Sequence, residues 1–223
     1  MGRFLSLALE ALLATLAPPR CAACDDTVDL LTVFCPSCAQ AATRLPEGEG
    51  RPAAALVYGG SVARAITRMK YESRPDLARP LGDLLWRAME PHATAFGRSV
   101  VVPVPLHPSR LAERGFNQSA LLARRIARHM DVRYAPRALE RTRETHQQAT
   151  LDRAARAANV AGAFQARSRA LVRGCDILLI DDVMTTGATL DACEKALAEA
   201  GAAHVDRLVL AAAPQRVEVG GKD

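Results

Sequence analysis

The sequence predicts an α/β protein: a parallel sheet with flanking helices, preceded by a small N-terminal metal-binding module. Three observations predict it. Apolar, β-branched runs alternate with helical apolar periodicities after residue 55. One of those runs passes straight into Asp181-Asp182 and then Thr185-Thr186-Gly187-Ala188-Thr189, a strand-to-helix junction of the kind that binds ligands in parallel sheets. Four of the six cysteines fall within residues 21–38 as two Cys-x-x-Cys pairs. The composition permits such a protein and excludes others. A chain of 223 residues, 49% hydrophobic and 24% charged, is neither disordered nor fibrous and can bury a core without disulfides. At 4% aromatic it has no material for a base-stacking platform made of aromatic rows.

The elements follow in order. Phe4, Leu5, Ala8, Leu12 and Leu16 recur at helical spacing, which predicts an amphipathic helix within residues 1–17. Arg3 before an apolar stretch also fits a cleaved leader, but Glu10 interrupts that stretch. No run of about 18 apolar residues occurs, so no membrane span is expected. Pro18-Pro19 ends the helix.

Cys21 and Cys24, then Cys35 and Cys38, form two knuckles separated by ten residues. Each pair can chelate one ion from a tight turn, and four thiolates suit tetrahedral Zn²⁺ with no position left for water. That zinc is structural. Two disulfides or a redox Cys-x-x-Cys are the alternatives, and a redox motif needs only one pair. Free thiolates fit a reducing, cytoplasmic setting. The module is expected to span residues 1–45 and a Pro/Gly/Glu-rich linker residues 46–54.

The main domain is expected over residues 55–216. Val62, Ile66 and Met69, with Arg64, Arg68 and Lys70 between them, predict a helix, and Leu81, Leu84, Leu85 and Ala88 another. Residues 99–104, Ser-Val-Val-Val-Pro-Val, read as a buried strand ending near Pro103. Ala120, Leu122, Ala123, Ile126, Ala127 and Met130 share a helix face. Ile177–Ile180 predicts a second strand, and Leu190, Cys193, Ala196 and Leu197 mark a helix closed by Gly201. Val205–Ala212 predicts a third strand, and residues 217–223 a disordered tail.

Charge adds a weaker signal. Of 29 basic residues 26 are Arg and 3 are Lys, against 24 acidic ones, for a net charge of +5. Base composition of the genome explains an Ala- and Arg-rich chain, and an Arg-lined anion surface is the functional alternative.

The chemistry lies in residues 177–189. Gly187 permits a sharp turn and close backbone approach. The amides from Thr185 to Thr189 open a helix, where unpaired N–H groups and the dipole favour a phosphate. The carboxylates of Asp181 and Asp182 suit ribose hydroxyls. A strand followed by an ordinary capped helix explains one Asp and one Thr but not the whole constellation. There is no GxxxxGK[ST], GxGxxG or HExxH, and Gly59-Gly-Ser-Val-Ala63 misses a nucleophile elbow.

Residues 177–189 resemble the phosphoribosyl pyrophosphate (PRPP) motif of type I phosphoribosyltransferases. More narrowly, Val102-Pro-Val-Pro-Leu-His-Pro-Ser-Arg110, Glu113-Arg-Gly-Phe-Asn-Gln118 and the start Pro18-Pro-Arg-Cys21 resemble the ComF family, competence-associated phosphoribosyltransferase-like proteins with an N-terminal four-cysteine segment. Arg141, Thr145, Gln148, Leu151, Arg156, Asn159 and Phe164 fit the family's next block, so the resemblance covers about residues 15–213.

That resemblance implies a type I phosphoribosyltransferase-like fold and a role for each block. Asp181 and Asp182 would hold the ribose hydroxyls, and Thr185, Thr186, Gly187, Ala188 and Thr189 the 5′-phosphate. The loop with Leu106 and His107, with Arg110 or Arg114, would take the pyrophosphate, presented with Mg²⁺. Residues 140–160, with Arg141, Arg143, Arg153 and Arg156, match a mobile loop that closes over substrate; a solvated amphipathic helix is the alternative. The implied activity is a transferase of the glycosyltransferase class that moves phosphoribosyl to a nitrogen acceptor. The alternative is a non-catalytic protein handling single-stranded DNA with the competence machinery during DNA uptake. The start Met1-Gly2 offers no catalytic Cys, so glutamine hydrolysis is not expected.

Overall fold

The computed structural model of the chain describes residues 18–45, 54–144 and 158–214. The predicted helix at 1–17, all but the last residue of the 46–54 linker, Arg153 and Arg156 of the 140–160 segment, and the tail lie outside them.

A four-stranded parallel sheet organises the described residues. Its strands are β1 (Ala54–Val57), β2 (Val100–Pro103), β5 (Asp176–Met184) and β6 (His204–Ala212), in the order β1-β6-β5-β2. Side chains alternate along each strand. Leu178 and Ile180 of β5 join one core, and Ile177 and Leu179 the other. Both faces are therefore covered, which is why β2 and β5 read as unbroken apolar runs.

On one face pack α2 (Gly60–Tyr71), α3 (Ala78–Met89) and α5 (Gln118–Met130), through Ile66, Met69, Leu81, Leu85, Leu122 and Ile126. On the other face packs α6 (Ala188–Glu199), through Leu190, Cys193 and Leu197. Cys193 is a core residue, as its place on the helix face predicts. The antiparallel ribbon of β3 (Leu139–Arg141) and β4 (Phe164–Ala166) closes this second core. Gly201 follows the end of α6 with φ of 95°, the left-handed stop expected of it.

Three elements differ from the sequence expectation. The linker gives way to β1 at Ala54, an edge strand too short to announce itself. The loop expected over 105–109 gives way at its end to α4 (Pro108–Arg114), started by Pro108 and the His107 side chain, which accepts from the Ser109 amide. Gly115, at φ 79°, ends it. The strand predicted over 177–180 runs on to Met184, so Asp181 and Asp182 belong to the strand itself.

The four-cysteine segment, which carries the short helix α1 (Pro36–Gln40), shares the main core. Cys21, Ala22, Val33, Phe34, Cys35 and Cys38 are buried together with Val62, Ala65 and Met69 of α2. Arg68 of α2 secures the joint. It donates to the carbonyls of Cys21 (3.3 Å) and Ala22 (3.4 Å) and pairs with Asp25 (2.9 Å), which Arg74 also reaches at 3.0 Å. No helix among the described residues is long and apolar enough to cross a membrane.

Candidate functional site

The site forms where β5 outruns its neighbour. β2 pairs with β5 only as far as Pro103 opposite Ile180. Beyond that point the chain of β2 peels away through Val104, whose amide still donates to the Ile180 carbonyl at 2.9 Å. Asp181 and Asp182 stay in β5, paired on the other side with β6. They therefore lie at the carboxyl edge of the sheet, where adjacent parallel strands part and leave a crevice. A cleft of about 250 Å³ opens there.

The N-terminus of α5 fits the carboxylates into place. Asn117 caps the helix, accepting from the amides of Ser119 (3.0 Å) and Ala120 (3.4 Å), while its Nδ2 donates to the Val104 carbonyl at 3.0 Å. This double anchor fixes the first turn against the loop after β2. The next two residues then turn onto the carboxylates. Ser119 Oγ donates to Asp181 Oδ1 at 2.8 Å, and Gln118 Nε2 to Asp182 Oδ1 at 3.2 Å. Both are almost fully buried.

Lys70, near the end of α2, forms an ion pair with Asp182 Oδ2. The side chains are 19% and 4% exposed, so this pair is largely withdrawn from water. Burial opposes ionisation of Asp182, but the Lys70 charge and the Lys70 and Gln118 hydrogen bonds outweigh it and hold the carboxyl below the usual range. The same pairing keeps the Lys70 ammonium above the ordinary lysine range despite its burial. Asp181 goes the other way. Burial, then the neighbouring Asp182 charge, push it up to about 7. Below about pH 7 the pair thus presents one neutral acid and one carboxylate. A neutral acid can donate as well as accept, and a carboxylate accepts, which together match the two hydroxyls of a diol.

An expected result follows for Asp181. In the unfolded chain it releases its proton near the ordinary value of about 3.9, in the fold near 7. Between these values the folded state holds the extra proton, so its contribution is complete below about pH 3.9 and lost as pH rises through 7. The melting temperature of the wild type falls between pH 5 and pH 8 more steeply than that of Asp181→Asn, measured by circular dichroism. Parallel curves contradict this assignment. Asp182 carries the opposite sign, but its loss lies at lower pH than this window.

The remaining walls are cationic. Arg110 and Arg114 of α4, His107 before it and Arg141 of β3 line the cleft with Lys70, and Glu144 faces them. Arg110 lies only loosely against Glu113 (3.9 Å), whereas Arg114 donates to Gln118 Oε1 at 2.6 Å. Burial pushes Arg141 below the ordinary arginine range. Ser109 Oγ donates to Glu144 Oε1 at 3.0 Å, tying α4 to the chain after β3.

Of the residues predicted from sequence, Asp181, Asp182, Thr189, Leu106, His107, Arg110 and Arg114 come together around this cleft. Thr185, Thr186, Gly187 and Ala188 do not line it; they form the adjoining turn into α6. Gly187 has φ of 85°, the left-handed backbone that made it a predicted turn residue. Asp191 in the first turn of α6 pairs with Arg207 (2.6 Å), which occupies the one carboxylate there that would repel an anion.

Sequence reading missed Lys70, Gln118 and Ser119. Lys70 carried a signal, as one of three lysines in a chain that otherwise uses Arg. Asn117 as a helix cap pointed to the other two.

The four cysteine sulfurs lie within 4.8 Å of one another, and none is in a disulfide. A tetrahedron of sulfurs about 2.3 Å from zinc has edges of about 3.8 Å, so the cluster fits such an ion. The Cys35 amide donates to Cys21 Sγ at 3.3 Å, and Arg64 Nη2 lies 3.9 Å from Cys38 Sγ, contacts that favour thiolates.

Comparison with known proteins agrees with this geometry. Residues 116–221 match the phosphoribosyl transferase domain. DNA utilization protein YhgH of Escherichia coli K12 is 31% identical over 198 residues, covering 83% of this chain and 86% of that protein. Competence protein F of Haemophilus influenzae is 30% identical over 144 residues, 63% of each chain. Competence protein ComFC of Bacillus subtilis is 34% identical over 107 residues, 47% of this chain and 40% of that one. With a match to the phosphoribosyl transferase domain, an acidic pair at the carboxyl edge of its sheet and YhgH matched over 86% of its length, the chain belongs to the ComF family.

Proposed function

We propose that the cleft binds PRPP and transfers its phosphoribosyl group to a nitrogen nucleophile. The observation that carries this reading is the buried Asp181–Asp182 pair, set between a cation-lined cleft and the N-terminal turn of α6. Asp181 and Asp182 take the 2- and 3-hydroxyls. The amides and hydroxyls of Thr185–Thr189 take the 5′-phosphate. Leu106 and His107, with Arg110 rather than Arg114, which Gln118 already holds, take the diphosphate. Mg²⁺ would come bound to the diphosphate and offset its charge; Asp182 is already paired with Lys70 and Asp181 favours its proton, so the acidic pair would not hold it. In the reaction the C1–O bond to pyrophosphate breaks and a C1–N bond forms, and the nucleophile gives up a proton. The arginines stabilise the leaving charge, while Asp181 and Asp182 hold the ribose hydroxyls in place.

The cysteine cluster holds one structural Zn²⁺ in this proposal, and thiols that remain free fit the cytoplasm.

A second reading has one observation in its favour: relatives named for DNA utilization and competence. The same ribose-phosphate site then holds a nucleotide of single-stranded DNA, without turnover, alongside the uptake machinery. Pyrophosphate release from PRPP, tested across nucleobases and amines, separates the two. Release dependent on one acceptor class supports transfer. No release with any acceptor, together with single-stranded DNA affinity that falls steeply with salt, supports the second reading.

A further inference from the structure

We infer that Tyr71, backed by Arg114, is a stacking platform for a planar nitrogen heterocycle at the wall of the cleft. The inference deepens the proposed function and rests on it, because the ring would meet the base attached at, or attacking, C1 of the ribose.

Tyr71 follows Lys70 at the end of α2 and lines the cleft. It is 63% exposed, unlike the part-buried Tyr58 and Tyr134, the latter fixed by a hydroxyl bond to the Ala120 carbonyl at 2.9 Å. A single exposed ring is ordinary by itself. Here it is not alone. The Arg114 guanidinium lies over the Tyr71 ring, 5.2 Å from its centroid. That guanidinium is held in turn by Gln118 Oε1 at 2.6 Å, and Gln118 donates to Asp182 Oδ1 at 3.2 Å. Asp182 pairs with Lys70, the residue beside Tyr71. The contacts close a loop: Tyr71, Arg114, Gln118, Asp182, Lys70. They set the ring's position relative to the carboxylates that would fix the ribose.

The chemistry of the rest of the cleft selects anions and hydroxyls, through Arg110, Arg141, His107 and the two aspartates. Among the described lining residues, Tyr71 is the one Phe, Tyr or Trp ring. The Tyr71 ring supplies an electron-rich face to an electron-poor heterocycle, with the Arg114 guanidinium stacked behind it. One ring is enough for one base, so the low aromatic content of the chain is no obstacle. On this account the acceptor is a nucleobase-like heterocycle rather than ammonia or an aliphatic amine.

The test compares ribose 5-phosphate with adenosine 5′-monophosphate by titration calorimetry on the full chain, using wild type, Tyr71→Ala and Tyr71→Phe. The wild type binds the nucleotide about 5- to 150-fold more tightly than ribose 5-phosphate. That ratio falls toward one in Tyr71→Ala and survives in Tyr71→Phe, with melting curves showing both variants folded. A 5′-phosphorylated oligonucleotide distinguishes the source. Weaker binding than the mononucleotide marks a free heterocycle and supports the inference, and stronger, Tyr71-dependent binding marks a strand end and overturns the acceptor assignment. A wild type that binds ribose 5-phosphate without favouring the nucleotide overturns the platform and leaves the ribose-phosphate site standing. Failure of both ligands to bind overturns both.

Discussion

Replacing Lys70 with Met lowers the melting temperature by about 6–20 °C at pH 8. The substitution removes the cation of a pair whose side chains are 19% and 4% exposed, and leaves Asp182 charged beside Asp181 with little water to solvate it. Breaking such a pair costs about 3–5 kcal/mol. For a chain of this length each kcal/mol shifts the melting temperature by about 2–4 °C. The sign with pH is fixed. Without Lys70 the folded carboxyls hold their protons more strongly than unfolded ones do, so acid relieves the strain and the deficit shrinks at pH 5. Melting curves of wild type and Lys70→Met at both pH values check this. An equal deficit at pH 5 and pH 8 means that lost packing, not lost charge, is responsible. Binding of ribose phosphates weakens in the same variant, because Lys70 no longer holds in place the carboxylate that accepts from the sugar.

The second large effect is at the cysteines. Cys21→Ser together with Cys24→Ser takes bound zinc from about one per chain to none, as read by elemental analysis, and lowers the melting temperature by about 8–16 °C. The magnitude assumes a loss of only about 4 kcal/mol, a fraction of the roughly 10–16 kcal/mol of structural zinc in small peptides, because here the module also leans on a large core. The consequence reaches the cleft. Arg68 and Lys70 lie two positions apart on α2, about 200° around the helix, so one grips the cysteine knuckle and the other the carboxylates. Loosening the knuckle therefore frees the helix that carries Lys70 and Tyr71. Unchanged ribose 5-phosphate affinity in a zinc-free but folded variant contradicts that connection.

The legible part of this protein was the part written in local pattern. The apolar runs at 100–103 and 205–212 became strands at nearly those bounds, and the face of Leu122, Ile126 and Ala127 became buried helix. Gly187 declared its turn, because only a residue tolerant of positive φ fits there. Two cysteine pairs declared a cluster, because their spacing leaves few other uses.

What was not legible is non-local. Lys70 and Asp182 are 112 residues apart, and nothing in either segment names the other. Gln118 and Ser119 precede the apolar helix face that begins at Ala120, and only the fold shows Asn117 locking that turn to Val104. The join between the cysteine module and α2 was hidden for the same reason. Val33 and Phe34 are too few to form a core alone, but the sequence does not show that Val62 and Met69 complete it. The strand from Ile177 continued through two carboxylates because Lys70, Ser119 and Gln118 arrive to satisfy them, and those partners come from elsewhere in the chain.

The central claim is that Asp181 and Asp182 form the ribose end of a phosphoribosyl site. Calorimetry with PRPP and Mg²⁺ on wild type and on the double variant Asp181→Asn plus Asp182→Asn tests it most directly. The account predicts saturable binding to the wild type and at least a hundredfold weaker binding to the variant, with the cysteine cluster and fold intact. Equal affinity in the two proteins would contradict it.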